Sequence, residues 1–112
     1  MKKFRFDQAK PYDAPHHILT SSMRLSGKDE TGATKFWVGL SHFLPAGGVE
    51  FSGEEQTNEK VYIVLEGELT VKSETEEFVL GPLDALFIAP NEGRAILNKT
   101  NKPVSMLVIA SY

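Results

Sequence analysis

Short runs of apolar and β-branched residues recur along most of the chain, separated by clusters of glycine, proline and asparagine. Runs of this length with alternating polarity are typical of β-strands, and the clusters between them are typical of turns. The predicted strands cover residues 22–25, 35–44, 61–65, 69–72, 78–80, 85–89, 95–97 and 104–110. Because many short strands follow one another and helical periodicity is nearly absent, the pattern predicts an all-β sandwich or barrel.

The turn-forming residues divide the chain further. Residues 45–48, Pro-Ala-Gly-Gly, are predicted to end the long strand before them, since proline cannot donate to a ladder and glycine tolerates positive φ. Strands 61–65 and 69–72 are predicted to form a hairpin that turns at Gly67. The first 20 residues show little periodicity and are predicted to form an extended N-terminal arm.

Length and composition restrict the possible classes of protein. A chain of 112 residues is predicted to form one domain over residues 1–112. The net charge of -3 disfavours nucleic-acid phosphates and anionic lipid surfaces, so we predict neither nucleic acid nor membrane as a partner. The absence of cysteine excludes disulfides and thiolate chemistry. With no export signal and no long apolar run in the sequence, we expect a cytoplasmic protein.

The segment from Gly48 to Gly67 carries a recognisable spacing of residues. It resembles the first conserved motif of the cupin superfamily, G-x5-H-x-H-x3,4-E-x6-G, with both glycines in place. Glu54 and Gln56 stand at the two histidine positions, and Lys60 stands at the glutamate position. The chain therefore keeps the glycines and the spacing of the motif but has other residues at its histidine and glutamate positions.

A second segment also keeps the spacing of a motif while most of the motif residues are replaced. Residues 83–98 are similar to the second cupin motif, G-x5-P-x-G-x2-H-x3-N, with Leu83 and Asn91 at the glycine positions, Arg94 at the histidine position and Asn98 kept. The resemblance covers about residues 35–110. It implies an all-β fold, a double-stranded β-helix or jelly-roll barrel, with the N-terminal arm of residues 1–20 outside it.

Members of the superfamily that keep both motifs hold a divalent metal through three histidines and a glutamate. The corresponding residues here are Glu54, Gln56, Lys60 and Arg94. Lysine and protonated arginine have no lone pair to donate, and their charges repel a dication by several kcal/mol at about 4 Å and an effective dielectric near 20. We therefore expect no metal at this location and no other cofactor.

The substituted residues suggest a different chemistry. Lys60 and Arg94 together resemble an anion receptor, since the guanidinium fork binds carboxylates and phosphates well. Tyr62 lies two residues after Lys60 on the predicted strand, hence on the same face. The first hypothesis is therefore a binding protein for a small anionic metabolite, carboxylated or phosphorylated, with Glu54, Gln56, Lys60, Tyr62 and Arg94 as ligand-binding residues.

Two alternatives remain open. One alternative is a metal-independent isomerase, epimerase, tautomerase or lyase, in which Lys60 and Arg94 stabilise an oxyanion and Glu54, Tyr62 or His42 moves a proton. The other is a structural barrel plugged by its own side chains, with Lys60 paired to Glu54 and Arg94 bonded to Gln56. The sequence does not distinguish between the binding protein, the enzyme and the plugged barrel.

The remaining histidines and aromatics have simpler interpretations. A lone His42 on an apolar strand is more often structural than catalytic. Adjacent residues on an extended segment point to opposite sides, so His16 and His17 are poor chelators and are predicted at the surface. Phe36, Trp37 and Phe43 are predicted in the core or at an interface. The resemblance also implies a homodimer that pairs through a sheet face.

Overall fold

The computed structural model describes all 112 residues and is almost entirely β-structure. A single 3-10 turn, Phe6–Gln8, precedes nine strands. These strands are β1 Pro11–Tyr12, β2 His17–Ser26, β3 Phe36–Ser52, β4 Lys60–Glu66, β5 Leu69–Lys72, β6 Glu77–Leu80, β7 Ala85–Ile88, β8 Arg94–Leu97 and β9 Val104–Ser111. The all-β prediction is confirmed, and no helix in the structure has the length and apolar character needed to cross a membrane.

The strands form an antiparallel barrel in the order β6-β5-β8-β3-β9-β4-β7. The long strand β3 joins its two halves, because residues from Phe36 to Phe43 pair with β9 and residues from Gly48 to Ser52 pair with β8. The inward side chains form one core of eleven buried residues. They are Phe43, Val49, Tyr62, Val64, Leu69, Val71, Leu80, Ile88, Ile96, Val104 and Met106.

Residues 45–48 bend β3 and do not end it, so that prediction is wrong. Pro45 lies after the last β3–β9 pair at Phe43 and before the first β3–β8 pair at Gly48. Its missing N–H therefore leaves no ladder bond unmade. The bend is held instead by Asn98, whose carbonyl accepts from Ala46 N at 3.0 Å and whose N–H donates to the Gly47 carbonyl at 2.8 Å.

The predicted hairpin at Gly67 is also wrong. Strand β4 pairs with β7 and β9, whereas β5 pairs with β6 and β8, so the two strands lie in different halves of the barrel. Gly67 has φ +88°, and a Cβ there would lie 2.8 Å from Cγ2 of Val104. The residue makes a tight corner between the two halves, for which only glycine has both the backbone freedom and the space.

The first 20 residues are not simply an extended arm. Strand β1 pairs with β2, and β2 begins at His17 and pairs along β3 as far as Ser26. The predicted strand 22–25 is therefore the end of a longer strand. The segment before β2 folds back against the barrel and contributes to the site described next.

Candidate functional site

A cavity of about 350 Å³ lies inside the barrel, and it is called the barrel cavity below. Its walls come from the segment 12–17, from β2 and β3, from the loop 53–59 and from β4, β8 and β9. The charged or imidazole side chains on these walls are Asp13, His16, His17, Arg24, Glu55, Lys60 and Arg94. A more open depression of about 450 Å³ adjoins it and shares Lys60, Trp37, Glu55 and Gln56.

Arg94 opens strand β8 and is only 8% exposed. Its Nε donates to the Tyr62 hydroxyl at 2.8 Å, and its Nη1 donates to the Ser52 carbonyl at 3.0 Å. Gly53, at φ +100°, makes room for this guanidinium, since a Cβ there would lie 2.8 Å from Nη1. Nη2 makes no hydrogen bond within the chain. The group is thus positioned by neutral acceptors, with donors left over.

Lys60 opens strand β4 and is 6% exposed. Its side chain makes no hydrogen bond, and no carboxylate oxygen lies within 4.0 Å of its amine. The ion pairs that the chain does form all join exposed residues elsewhere. Burial lowers the pKa of Lys60, the positive charge of Arg94 lowers it further, and Glu55 acts in the opposite direction. Two of the three basic side chains on the cavity wall, Lys60 and Arg94, are therefore buried with no carboxylate oxygen paired to either.

Tyr62 lies on the same face of β4 as Lys60 and is 2% exposed. Burial raises the pKa of its phenol, while the charge and hydrogen bond of Arg94 act against this. The hydroxyl oxygen already accepts from Arg94, and its own proton has no acceptor in the chain. Tyr62 is therefore a neutral O–H donor at the wall of the barrel cavity.

Two further polar atoms in the cavity wall have no partner. Oε1 of Gln56 and Nε of Arg24 are both buried without a hydrogen bond. Arg24 lies over two aromatic rings, 4.2 Å from the centroid of Trp37 and 5.3 Å from that of Tyr12. Buried polar atoms are rarely left unsatisfied, so a ligand or water in the cavity is expected to complete both.

Four of the five ligand-binding candidates line the cavity: Gln56, Lys60, Tyr62 and Arg94. Glu54 is exposed and lies off the cavity wall, and its neighbour Glu55 lines the cavity instead. Residues 53–59 form a loop, so alternate residues there do not share a face as they would on a strand. The expectation that Glu54 joins the others at the cavity is therefore wrong.

Of the three candidate proton carriers, only Tyr62 lies at the cavity. His42 is exposed on the outside of β3, and its Nδ1 lies 3.0 Å from the Ser105 hydroxyl. The side chains on either side of it, Ser41 and Phe43, face inward and line the cavity. Strand alternation thus turns His42 away from the site, which agrees with its structural interpretation.

His16 and His17 both line the barrel cavity, where His16 is exposed, as predicted, and His17 is half-buried. His16 has φ 64°, which breaks the alternation expected of an extended segment. Nδ1 of His17 lies 2.7 Å from the Pro15 carbonyl, so Nδ1 carries the hydrogen. Burial lowers the pKa of His17, the bond to Pro15 opposes this, and the charge of Arg94 adds to the lowering.

Sequence reasoning missed Asp13, Arg24 and Glu55, and it gave Trp37 only a core or interface role. Arg24 and Trp37 meet at the cavity through the β2–β3 register, which sets Arg24 opposite Gly39. Asp13 arrives with the folded-back N-terminal segment. No local pattern in the chain marks these positions, since each depends on pairing between distant segments.

The internal network that would plug the barrel is not formed. Lys60 has no ion-pair partner, and Arg94 bonds Tyr62 and Ser52 in place of Gln56. The charges of Lys60 and Glu54, which could have neutralised each other, are not paired. The barrel accordingly keeps a cavity at the position where the plug was predicted.

The residues at the motif positions do not fit a divalent metal. Nowhere in the chain do three His, Asp or Glu side chains gather closely enough to hold one. At the cavity, Lys60 and Arg94 contribute positive charge in place of lone pairs, and Gln56 offers only a weak neutral oxygen. Two cations and a neutral amide thus stand where a metal would need ligands.

Comparison with known proteins places the chain in a wider group. A family described as "Cupin domain" matches residues 41–110. A Mycobacterium tuberculosis protein named beta-D-galactosidase is 41% identical over 112 residues, which cover 100% of this chain and 95% of that protein. Both matches include the segment that carries Lys60 and Arg94.

Solved structures show the same barrel. A polyketide cyclase, RemF from Streptomyces resistomycificus, has a TM-score of 0.84 and 22% identity, covering 99% of this chain and 79% of that one. A sugar phosphate isomerase of the cupin superfamily from Silicibacter pomeroyi has a TM-score of 0.81 and 21% identity, covering 99% and 76%. At these identities the likeness establishes the jelly-roll fold and carries nothing about the ligand.

Proposed function

The chain belongs to the cupin family, and from that premise we propose that its barrel binds a small carboxylated or phosphorylated metabolite without a metal. The observation that carries this proposal is the presence of two buried cations, Lys60 and Arg94, in one cavity with no protein carboxylate paired to either. A charge taken out of water needs a partner. An anion in the cavity would supply one.

The free donors of the site suit an anion. Nη2 of Arg94 and the hydroxyl proton of Tyr62 are unused within the chain, and both groups are held by the 2.8 Å hydrogen bond between Arg94 Nε and the Tyr62 oxygen. A charge-assisted hydrogen bond from arginine contributes about 1.5–3 kcal/mol. The amine of Lys60 adds a second positive charge at the same cavity.

The cavity also constrains the size and chemistry of the ligand. A volume of about 350 Å³ is at the small end of ligand pockets, which favours a metabolite of few heavy atoms. The unpartnered Oε1 of Gln56 calls for a hydrogen-bond donor such as a hydroxyl. A hydroxylated acid or a sugar phosphate satisfies both requirements, and the sugar-related name of the similar Mycobacterium tuberculosis protein supports this choice.

Thermal shift and calorimetry with dicarboxylates, keto acids, hydroxy acids and sugar phosphates test the proposal. At least one anion should stabilise the wild-type protein, and Arg94→Ala should weaken its binding about ten- to a hundred-fold. Arg5→Ala, which removes an exposed arginine at the other end of the chain, is the matched control and should bind normally. Elemental analysis of the same samples should find substoichiometric metal.

The proposal fails if no anion stabilises the wild type while Arg94→Ala and Lys60→Met merely melt at lower temperature. Stoichiometric iron, manganese, nickel or zinc that survives dialysis would contradict the metal-free site. The two measurements are independent, so each part of the proposal can fail separately.

Glycoside hydrolysis is the second candidate function, favoured by the carboxylates Asp13 and Glu55 on one cavity and by the name of the similar Mycobacterium tuberculosis protein. Most glycosidases act through two carboxyl groups on either side of the bond that breaks. A chromogenic β-galactoside tests this candidate. Activity should fall at least ~100-fold in Glu55→Gln and in Asp13→Asn and stay normal in Glu59→Gln, an exposed loop control. Absence of wild-type hydrolysis removes this candidate.

A further inference from the structure

Lys60 differs from the other lysines of the chain in combining burial with the lack of any partner. It is 6% exposed, makes no hydrogen bond or ion pair, and lines the barrel cavity. It also borders the more open depression of about 450 Å³, so that small molecules can approach it from solvent. A primary amine in such a place can act as a nucleophile as well as a charge.

We propose that Lys60 forms a covalent imine with the carbonyl carbon of an anionic ligand, such as an α-keto acid or an aldehyde acid. This inference rests on the anion site proposed above and adds a reaction to it. Arg94 would hold the carboxylate, and Lys60 would attack the adjacent carbonyl carbon. The group needed for each task lines the same cavity.

An amine attacks a carbonyl only in its neutral form, and the surroundings of Lys60 favour that form. Burial and the nearby charge of Arg94 both lower the pKa of Lys60, with Glu55 as the opposing influence. Desolvation and a neighbouring cation are the two means by which proteins activate lysine for imine chemistry. Both are present at this one residue.

Loss of water from the first adduct needs an acid, and Tyr62 can supply it. Tyr62 follows Lys60 by two residues on β4, so both side chains project from the same face. Its hydroxyl oxygen accepts from Arg94 at 2.8 Å, which leaves the phenolic proton free to point into the cavity. Burial raises the pKa of Tyr62 and keeps that proton in place until it is needed.

The step balances without any further reactant. The lone pair of Nζ forms a bond to the carbonyl carbon, and the carbonyl π electrons move to oxygen, which takes up the proton that nitrogen releases. The resulting hydroxyl then leaves as water with the proton of Tyr62, while the nitrogen lone pair forms the C=N bond. The second proton on nitrogen returns to the phenolate. Amine and carbonyl become imine and water, with no change in oxidation state.

Reductive trapping with glyoxylate and sodium cyanoborohydride tests the inference on the whole chain. Cyanoborohydride reduces the imine to a secondary amine, which leaves one carboxymethyl group on the modified nitrogen. Peptide mapping should locate the group on Lys60 in most singly labelled chains, ahead of the N-terminal amine and of exposed lysines such as Lys102. Lys60→Met should abolish this label, and Lys102→Met should leave it unchanged.

Acetaldehyde, which has a carbonyl and no charge, separates the roles of the two cations. Without a carboxylate for Arg94 it should label Lys60 about ten- to a hundred-fold more slowly than glyoxylate does. Arg94→Leu should reduce the rate with glyoxylate by a similar factor. Equal labelling by both probes would overturn the anionic ligand and with it the proposal.

If the carboxymethyl label is spread over the lysines without preference for Lys60, the imine proposal is wrong. The peptide map is made on wild-type protein, so this result does not depend on the folding of a variant. Glycolate, which has the carboxylate but lacks the aldehyde carbonyl, then tests whether the cavity binds an anion at all. If glycolate still stabilises the protein to heat, the anion site stands and only the imine is lost. If neither glycolate nor glyoxylate binds, both proposals fall.

Discussion

The Nε–H of Arg94 donates a 2.8 Å hydrogen bond to the hydroxyl of Tyr62 and so links β8 to β4 inside the barrel. The bond fixes a cation in place without neutralising it. Had a carboxylate taken the position of Tyr62, the charge of Arg94 would be cancelled and the cavity would have little attraction for an anion. The contact therefore connects the fold to the proposed function.

Tyr62→Phe should lower the free energy of unfolding by about 1–3 kcal/mol, because it leaves the buried Nε of Arg94 without its acceptor. Urea denaturation measures this directly. Tyr12→Phe removes a hydroxyl from the same cavity wall that makes no hydrogen bond, and it should have little effect. Equal losses in the two variants would show that the phenol–guanidinium bond is not important for stability.

Lys60 should make stability rise with pH in the alkaline range. Its pKa is lowered by folding, whereas in the unfolded chain it returns toward the usual 10.5, so between these values the unfolded chain binds more protons. The free energy of unfolding should therefore increase as the pH approaches 10.5. Lys60→Met should be more stable at neutral pH and lack this increase, whereas Lys102→Met should keep it. Parallel pH curves for Lys60→Met and wild type would contradict the prediction.

Leu83→Gly should stabilise the protein by about 0.5–1 kcal/mol. Leu83 has φ 66°, a left-handed conformation that is costly for a branched residue, and its side chain is 76% exposed, so little packing is lost. Leu83→Ala keeps the Cβ and should change stability little. Thermal unfolding of the three proteins distinguishes relief of backbone strain from loss of the side chain.

Asn98→Ala should destabilise the barrel by about 2–4 kcal/mol. The Asn98 side chain is 1% exposed, donates to the carbonyls of Phe43 at 3.2 Å and Lys102 at 2.8 Å, and accepts from Thr100 N at 3.0 Å. Asn101→Ala, at an exposed position with no side-chain hydrogen bond, is the control. A loss no greater than that of the control would mean that these bonds add little.

The homodimer is proposed to form through the outer face of the β5–β6–β8 sheet. The register aligns Ile18, Leu97 and Val79 across this face, and they are 47%, 41% and 58% exposed. Light scattering should give twice the 12.4 kDa of one chain. Leu97→Glu should give a monomer, and Phe87→Glu, on β7, should remain dimeric. A monomeric wild type at micromolar concentration would contradict the proposal.

Much of the cupin frame can be read from the sequence because its backbone requirements fall at fixed positions of the two motifs. The two glycine positions of the second motif, filled here by Leu83 and Asn91, have φ 66° and 62°, so the backbone keeps the conformation after the glycines are gone. A Cβ on Gly48 would lie 1.9 Å from the Ile96 carbonyl, which explains why that position is glycine. The positive φ of Leu83 and Asn91 is a local requirement, whereas Gly48 is required by the close approach of strand β8.

The sequence by itself determined that most of the chain forms short strands and that the fold is all-β, since alternation along a strand and turn chemistry are local properties. Its resemblance to the cupin motifs implied a barrel with Gln56, Lys60, Tyr62 and Arg94 in its interior. Only the tertiary structure decided that Gly67 is a corner between the two halves of the barrel, because a hairpin and a corner need the same turn residue. It also decided that Glu55 faces the cavity in place of Glu54, and that His17 and Asp13 close over it. Side chains on loops and folded-back segments take their direction from packing against distant strands, and that information is spread over the whole chain.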